Sequence, residues 1–326
     1  MENNSTLTVP SISRKKYFDF SSLTIIFLTI GLFTYLSFTS DTFLTTRNIY
    51  SILYGLSFQF FAIIGFTYLM IMGEIDLSVG SVYAFSGMFM GYLMVTMKVA
   101  LLPAMGISLL VCALMGLGTG FLVVRFRLNS MMVTIATMTL IRGLASYFVA
   151  RMYGATYPTA MRHLSKVEIG NIYITIIAMI LLVVVLEILL KKSSIFKKMY
   201  FVGENRQTAR IYGIKSDKIK VAVFALSALT AAIGGILISS RITYADTAIG
   251  SGLEFQLLTA AVLGGASLYG GKGSILGSCI GLLFLATILN GMVIFNIEPL
   301  LQQLIIGIIL ILSVFIDTRL NKVNKG

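Results

Sequence analysis

The sequence predicts an all-α integral membrane protein, a polytopic bundle of about ten transmembrane helices with short broken or re-entrant segments. Apolar residues make up 57% of the 326 positions and charged residues only 12%, and the mean hydropathy is strongly positive. Apolar runs long enough to cross a ~30 Å hydrocarbon core recur along the chain. Runs such as Thr175 to Leu190 are apolar on every side, whereas the strands of a membrane barrel alternate apolar and polar residues. These features exclude a soluble fold and a barrel.

The predicted membrane-crossing segments follow one another along the whole chain. They cover residues 21–39, 49–72, 80–97, 99–124, 131–150, 172–190, 219–240, 255–270, 274–295 and 297–316. The first is longer than a signal-peptide core and has no small-residue cleavage site, so we expect it to remain as an anchor. The apolar run from Leu253 to Leu263 is short for a full crossing and favours a partial or broken helix, a feature that often marks a transport route.

The predicted organisation is a cytoplasmic tail over residues 1–20, a transmembrane domain over 21–316 with one polar loop at 191–220, and a cytoplasmic tail over 317–326. An even number of crossings places most of the 25 lysines and arginines on the side of the polar loop. The net charge of +12 is therefore a topology signal that predicts cytoplasmic termini. Nucleic-acid binding is disfavoured, because it needs a basic patch with stacking aromatics in a soluble fold.

The chain lacks the residues that a catalytic site or a metal site would need. The two cysteines, Cys112 and Cys279, lie in predicted spans, and the single histidine, His163, lies in a loop. A metal cluster, a disulfide framework and a Ser-His-Asp set are thereby excluded. The glycine-rich run from Gly264 to Ser274 lacks the spacing of a phosphate-binding loop. We predict no catalytic residue, no metal site and no cofactor in this chain, so any ATP must be hydrolysed by another chain.

A first break in the helical pattern runs from Gly73 to Ser81. It places two carboxylates in a connection with few water-soluble residues, where an ionised group costs about 2.5–3.5 kcal/mol unless it finds partners or water. The simpler interpretation is a helix cap at the cytoplasmic rim, with Ser78 as N-cap and the carboxylates at the positive end of the helix dipole. A role in gating or motor docking is the alternative. The candidate residues are Glu74, Asp76, Ser78 and Gly80.

A second break runs from Gly264 to Gly281. Its central glycines predict a flexible turn, and the glycines at 273, 277 and 281 form a small-residue face that lets helices approach closely. The candidate gating or structural residues in this break are Gly264, Gly265, Gly270, Gly271 and Gly273.

Polar residues inside the spans are sparse, and four are candidates for a translocation pathway: Gln59, Arg142, Asn290 and Gln302. Amides donate and accept hydrogen bonds without net charge, which suits a neutral, hydroxyl-rich solute. For any single one of these residues, hydrogen bonding between helices is the better explanation. Arg142 is costly in a bilayer unless it is paired or hydrated, and the sequence shows no obvious acidic partner for it. Among acidic residues only Glu187 lies in a span, which disfavours an ion-coupled carrier.

The polar loop from Lys191 to Lys220 contains a helix-forming run, Asn205 to Tyr212, between Gly203 and Gly213. The run is too short and too polar to cross a membrane, and it predicts a short amphipathic helix along the membrane surface. A solvated connector that owes its charge to the positive-inside rule explains the lysines equally well, but not the helix.

Three motifs, in order and spread over nearly the whole chain, resemble the permease subunits of ribose-type bacterial ABC importers. They are Gly73-Glu-Ile-Asp-Leu-Ser-Val-Gly-Ser81, Val202-Gly-Glu-Asn-Arg-Gln-Thr-Ala-Arg-Ile-Tyr-Gly-Ile214 and Ala261-Val-Leu-Gly-Gly-Ala-Ser-Leu-Tyr-Gly-Gly-Lys-Gly-Ser274. Glu74 and Glu204 stand where family members often have glycine.

The resemblance implies a permease in the bacterial cell membrane that imports a monosaccharide or related small polar solute by alternating access. It implies three partners: an ABC-type ATPase that holds ATP and magnesium, an extracytoplasmic solute-binding protein, and a second copy or a homologous permease. The ATPase would contact a coupling helix within Asn205 to Tyr212. The implied coupling residues are Gly203, Glu204, Asn205, Thr208, Ala209, Arg210 and Gly213. A passive facilitator or channel is the alternative function.

Overall fold

A computed structural model describes residues 20–152 and 154–323, which form a helical bundle with one small strand pair. The helices are α1 (Phe20–Thr39), α2 (Thr46–Ile71), α3 (Val79–Val95), α4 (Leu101–Arg125), α5 (Ser130–Ala150), α6 (Thr159–His163), α7 (Ile174–Lys192), α8 (Ser194–Glu204), α9 (Arg206–Ile211), α10 (Ser216–Ile242), α11 (Leu253–Leu263), α12 (Ile275–Ile294) and α13 (Pro299–Val323). The strands β1 (Glu168–Ile169) and β2 (Ile172–Tyr173) pair antiparallel, with Ile169 opposite Ile172. The tail predicted for residues 1–20 lies outside the described residues except for Phe20, and α13 extends into the predicted C-terminal tail.

Each predicted crossing segment coincides with a helix, but the helices differ in length. Within the described part of the chain, six helices are long and apolar enough to cross a membrane: α2, α4, α5, α10, α12 and α13. The apolar stretches of α1, α3, α7 and α11 are shorter, at 10–17 residues each. The chain is therefore a mostly helical, multi-pass membrane protein, and crossings beyond these six remain a prediction.

Helix α11 differs from the span predicted at 255–270. It has only 11 residues, which gives a length of about 16 Å, half of the hydrocarbon core. It ends at Leu263 because the chain turns at Gly265, whose φ is +92°. The partial helix expected from Leu253 to Leu263 is present with those bounds.

Helix α10 lies at the centre of the bundle and packs on α2, α3 and α4. Small residues permit these contacts, since a Cβ at Gly65 of α2 would collide with the backbone of Ser227, and one at Gly87 of α3 would collide with Ser239. In lipid, where apolar helices gain little from the hydrophobic effect, such close packing is a main source of association. With 27 residues, or about 40 Å, α10 reaches both ends of the bundle.

Candidate functional site

The three sequence motifs meet at the end of the bundle where α2 ends and α10 begins. The backbone amide of Gly271 donates to the carbonyl of Ile71 at 2.8 Å. The hydroxyl of Tyr200 in α8 donates to the carbonyl of Gly273 at 2.7 Å. Segments far apart in the sequence thus form one surface, which we call the motif end: residues 71–80, 194–220 and 264–274.

Glycines at the motif end lie where backbones touch. A Cβ at Gly203 would collide with the carbonyl of Ile71 and the amide of Gly271, and a Cβ at Gly270 would lie 2.8 Å from the amide of Gly73. Gly270 and Gly271 also have positive φ, 80° and 74°. The turn predicted here is therefore present, but it is tightly packed instead of flexible, because the other two motifs cover it.

The polar loop contains two helices, α8 and α9. Helix α9 matches the run predicted from Asn205 to Tyr212, and the side chain of Asn205 caps it by accepting from the amide of Thr208 at 3.0 Å. Gly213 follows with a φ of +74°, as expected of a helix end. Helix α8 was not predicted, because its lysines were assigned to a solvated connector. Gly203 therefore lies inside α8 and does not bound the coupling helix, which corrects its predicted position.

Helix α9 packs by one face and exposes the other. Ala209 is buried, whereas the side chains of Ile211 and Tyr212 are 83% and 75% exposed. Glu204, at the end of α8, lies beside Gly271. The C-terminal end of α9 therefore presents two exposed side chains with large apolar surfaces, Ile211 and Tyr212, next to the basic residue Arg210.

Within the motif end, ion pairs join α9 and the first motif to the first turns of α10. Asp217 accepts from Arg206 at 2.7 Å and from Arg210 at 3.0 Å, so both arginines of α9 are held by one carboxylate. Lys220 pairs with Glu74, and their side chains are only 4% and 13% exposed. From the sequence, Lys220 only adds to the positive charge of the polar loop, because no residue close to it in the chain indicates Glu74 as its partner.

The second carboxylate of the first motif is buried and satisfied. Asp76 is 2% exposed and accepts from the amide and the hydroxyl of Ser78 at 2.9 and 2.6 Å, and from the hydroxyl of Ser227 at 3.3 Å. Ser78 occupies the N-cap position of α3, but its side chain makes no cap bond; its hydroxyl donates to Asp76. Ser78 is therefore the N-cap residue of α3, as predicted, but its side chain does not cap the helix, and both carboxylates have partners beyond the helix end.

The small-residue face of α12 packs on α11 as expected. A Cβ at Gly277 would collide with the carbonyl of Gly264, and one at Gly281 would collide with the carbonyl of Ala260. Gly80 at the start of α3 has a different neighbour, since a Cβ there would collide with the carboxylate of Glu254.

A cavity of about 380 Å³ lies toward the opposite end of the bundle, between α2, α10, α11 and α12. Of the four residues predicted for a pathway, Gln59 and Asn290 line it, and Arg142 and Gln302 do not. The lining residues with polar side chains are Ser51, Gln59, Tyr83, Arg241, Ser251, Gln256 and Asn290. We call this region the cavity end.

Arg142 acts on the cavity indirectly. Its guanidinium donates to the carbonyls of Thr247, Ile249 and Gly250 at 3.3, 2.8 and 3.2 Å, and the last two residues form part of the cavity wall. Glu254, buried at 6% exposure, lies near enough to act electrostatically on Arg142. This acidic neighbour was not predicted, because Glu254 immediately precedes the span predicted at 255–270.

Two of the other pathway candidates, Asn290 and Gln302, have hydrogen-bond partners in the protein. Asn290 of α12 and Asn48 of α2 exchange hydrogen bonds of 3.0 and 2.8 Å through their amides. Gln302 donates to the carbonyl of Ile297 at 3.2 Å, close to its own position in the chain. Asn290 therefore joins two helices at the cavity wall, and Gln302 stabilises the start of α13.

Arg241 also lines the cavity, although it is not among the four pathway residues predicted from the sequence. It lies in the last turn of α10, with its guanidinium carbon 4.7 Å from the ring centroid of Tyr54. An arginine near the end of a predicted span is normally a residue that flanks the membrane. The sequence therefore did not indicate that Arg241 lines the cavity.

Comparisons with known proteins agree with this architecture. Residues 48–314 match the family described as "Branched-chain amino acid transport system / permease component". The chain is 34% identical to the L-arabinose ABC transporter permease protein AraH of Azospirillum brasilense, over 91% of this chain and 87% of that protein. It is 30% identical to the ribose import permease protein RbsC of Bacillus subtilis, over 87% and 88% of the two chains.

The autoinducer 2 import system permease protein LsrC of Yersinia enterocolitica is 33% identical over 79% of this chain and 71% of its own length. No solved structure matches the chain. Permeases of this kind are transport components and not enzymes. On the matched length and the three ordered motifs, the chain belongs to the branched-chain amino acid transport system permease family and, within it, to the permeases of ribose-type sugar ABC importers.

Proposed function

We propose that this chain is the transmembrane permease subunit of an ATP-driven importer for a monosaccharide or related small polar solute, working by alternating access with a separate ABC-type ATPase. The observation that carries this proposal is the course of α10. Its first turns hold the ion pairs of the motif end, and its last turn lines the cavity. One continuous helix thus links a surface suited to docking with a space suited to a solute.

Helix α9 is the proposed coupling helix. Its exposed Ile211 and Tyr212 suit an apolar groove on a partner, and Asn205, Thr208 and Ala209 shape and anchor the helix. Because Arg210 pairs with Asp217 of α10, a displacement of α9 would be transmitted directly to α10. ATP and magnesium would be bound by the ATPase.

The cavity is the proposed part of the solute pathway in this subunit. Its amides and hydroxyls can both donate and accept hydrogen bonds, as a neutral, hydroxyl-rich solute requires. An extracytoplasmic binding protein would deliver the solute to the cavity end. A second copy or a homologous permease would complete the pathway, with about ten crossings per chain and both termini cytoplasmic in the bacterial inner membrane.

The ion pairs between α9 and α10 support a cycle of alternating access. ATP binding closes the ATPase dimer and draws the two coupling helices together, α10 moves with α9, and the cavity opens toward the binding protein. Hydrolysis reverses the change. Binding of ATP drives the transition only because the closed ATPase prefers one arrangement of the permease over the other.

Affinity purification of the tagged chain from gently solubilised membranes tests docking. The variant Ile211→Glu places a charge on the exposed face of α9 at a side chain with few internal contacts, and we expect loss of the copurifying ATPase and of uptake with normal membrane insertion. Lys218→Glu is the matched control, since it introduces the same side chain at an exposed position outside α9. ATPase recovery that is equal for both variants, or a chain that carries solute passively on its own, would contradict the proposal and favour a facilitator.

A further inference from the structure

The guanidinium of Arg241 faces the cavity without a protein partner for its donors. In the part of the chain that the structure describes, no hydrogen bond or ion pair engages it. Its contacts are with aromatic rings, at 4.7 Å to the centroid of Tyr54 and 5.8 Å to that of Phe58. A guanidinium carries five N–H donors in a fixed fork, so these donors are available to whatever occupies the cavity.

The ring beneath Arg241 is held rigidly. The hydroxyl of Tyr54 donates to the carbonyl of Ser165 at 3.1 Å, and its ring stacks on Tyr173 with centroids 4.0 Å apart. The amide of Ser165 in turn donates to the hydroxyl of Ser240, in the same last turns of α10. The ring of Tyr54 and the end of α10 are thus both bound to Ser165. We infer that this arrangement fixes the orientation of the Arg241 guanidinium before a solute binds.

The other free polar groups of the cavity are uncharged. Gln59 and Gln256 line it, and no hydrogen bond joins either side chain to another described residue. No acidic side chain is among the described lining residues. The volume of about 380 Å³ falls in the range of roughly 300–1,000 Å³ typical of small-molecule sites.

We infer that Arg241 is the principal solute-binding residue of the cavity, donating two parallel hydrogen bonds from its fork to adjacent hydroxyl oxygens of a neutral monosaccharide. Gln59 and Gln256 accept from other hydroxyls of the same sugar. This inference rests on the proposed function and names the residue and the chemistry of its recognition step. Lysine cannot replace Arg241, because an ammonium is a point charge without a planar pair of donors.

The test uses proteoliposomes holding the permease with its ATPase and binding protein. ATP-driven uptake is measured for a panel of labelled neutral pentoses and hexoses, for their deoxy analogues lacking one hydroxyl of an adjacent pair, and for the corresponding sugar acids. We expect Arg241→Lys and Arg241→Gln to weaken uptake of the preferred sugar about tenfold or more, as the loss of a hydrogen bond to a charged group predicts. We also expect the preference for that sugar over its deoxy analogue to collapse toward one.

Arg151→Lys and Arg151→Gln are the matched controls, since Arg151 lies over the ring of Tyr147 at 3.4 Å but does not line the cavity. A merely structural role for Arg241 would lower uptake of every sugar equally and leave the preference unchanged, which would overturn the inference. Preferred uptake of a sugar acid, or no uptake of any neutral sugar by a wild-type complex that still binds and stimulates its ATPase, would also overturn it while leaving the permease function intact. Failure of the ATPase to associate at all would instead defeat the proposed function.

Discussion

The two ends of this molecule are built on opposite principles. At the motif end, charges are paired and glycines let three segments touch, as at Gly203, where a single Cβ would strike two backbones. At the cavity end, polar side chains such as Arg241 and Gln59 have donors and acceptors left over. A surface that must transmit force to a partner gains from rigidity, whereas a surface that must accept a solute gains from unused hydrogen-bonding capacity. Helix α10 belongs to both ends.

The largest expected effect comes from breaking the buried pair at the motif end. Lys220→Met leaves the carboxylate of Glu74, 13% exposed, without its counter-ion, and we expect a loss of about 3–5 kcal/mol in the free energy of unfolding. The double variant Glu74→Gln with Lys220→Met should recover most of this loss, because no charge is then stranded.

Unfolding in mixed micelles, followed by circular dichroism, measures both variants of this pair. Lys218→Met serves as the control at an exposed lysine two residues away. Equal stability of the single and double variants would show that the pair is not the reason for the rigidity of this end.

Gly203→Ala should have the next largest effect. Its Cβ would strike the carbonyl of Ile71 and the amide of Gly271, so we expect overpacking to destabilise the chain by about 1–3 kcal/mol and to impair uptake. Gly118→Ala is the matched helical control, since a Cβ there meets nothing within 4 Å. Thermal unfolding in detergent compares them, and equal midpoints would argue against tight packing of the three motifs.

A smaller effect on stability is expected from the hydrogen-bonded amide pair of Asn48 and Asn290 at the cavity end. Removing the amide pair of α2 and α12 by Asn48→Ala, Asn290→Ala and both together should reveal a coupling energy of about 0.6 kcal/mol, the average for polar contacts between membrane helices. The four unfolding free energies form a double-mutant cycle. A coupling energy of zero would mean that Asn290 is free to serve the cavity alone.

The smallest effect is expected at the exposed ion pairs of α9. Asp217→Asn removes the partner of Arg206 and Arg210, but side chains 40–48% exposed form pairs worth only about 0.2–1 kcal/mol each. The difference in unfolding midpoint from the wild type should vanish near 1 M salt, where the screening length falls to about 3 Å. A difference that persists in high salt would point to a packing role for Asp217.

The parts of the fold that depend on a local sequence pattern were predicted correctly. The positions of the apolar helices, the short α11 and the capped helix after Asn205 all follow from hydropathy, glycine and capping residues close to one another in the chain. The ordered motifs were sufficient to indicate the family, which the matched residues 48–314 confirm.

Contacts between residues distant in sequence were not predicted. The pairing of Glu74 with Lys220, the packing of Gly203 and the position of Glu254 near Arg142 arise from tertiary contacts that no local period encodes. Ser78 is the N-cap residue of α3 as predicted, but the bond from its hydroxyl to Asp76 and the burial of that carboxylate were not predicted. Arg241 was missed because charge at a helix end is normally a flanking feature.

The most direct test of the account is whether ATP changes access to the cavity through α9. In the complex with its ATPase, Ser251→Cys places a thiol in the cavity wall, after Cys112 and Cys279 have been replaced by alanine. Its rate of modification by a membrane-impermeant thiol reagent is then measured with and without bound ATP. We predict a clear change in rate on ATP binding that Ile211→Glu abolishes and Lys218→Glu preserves. A rate indifferent to ATP, or a change that survives Ile211→Glu, would contradict the link between the motif end and the cavity end.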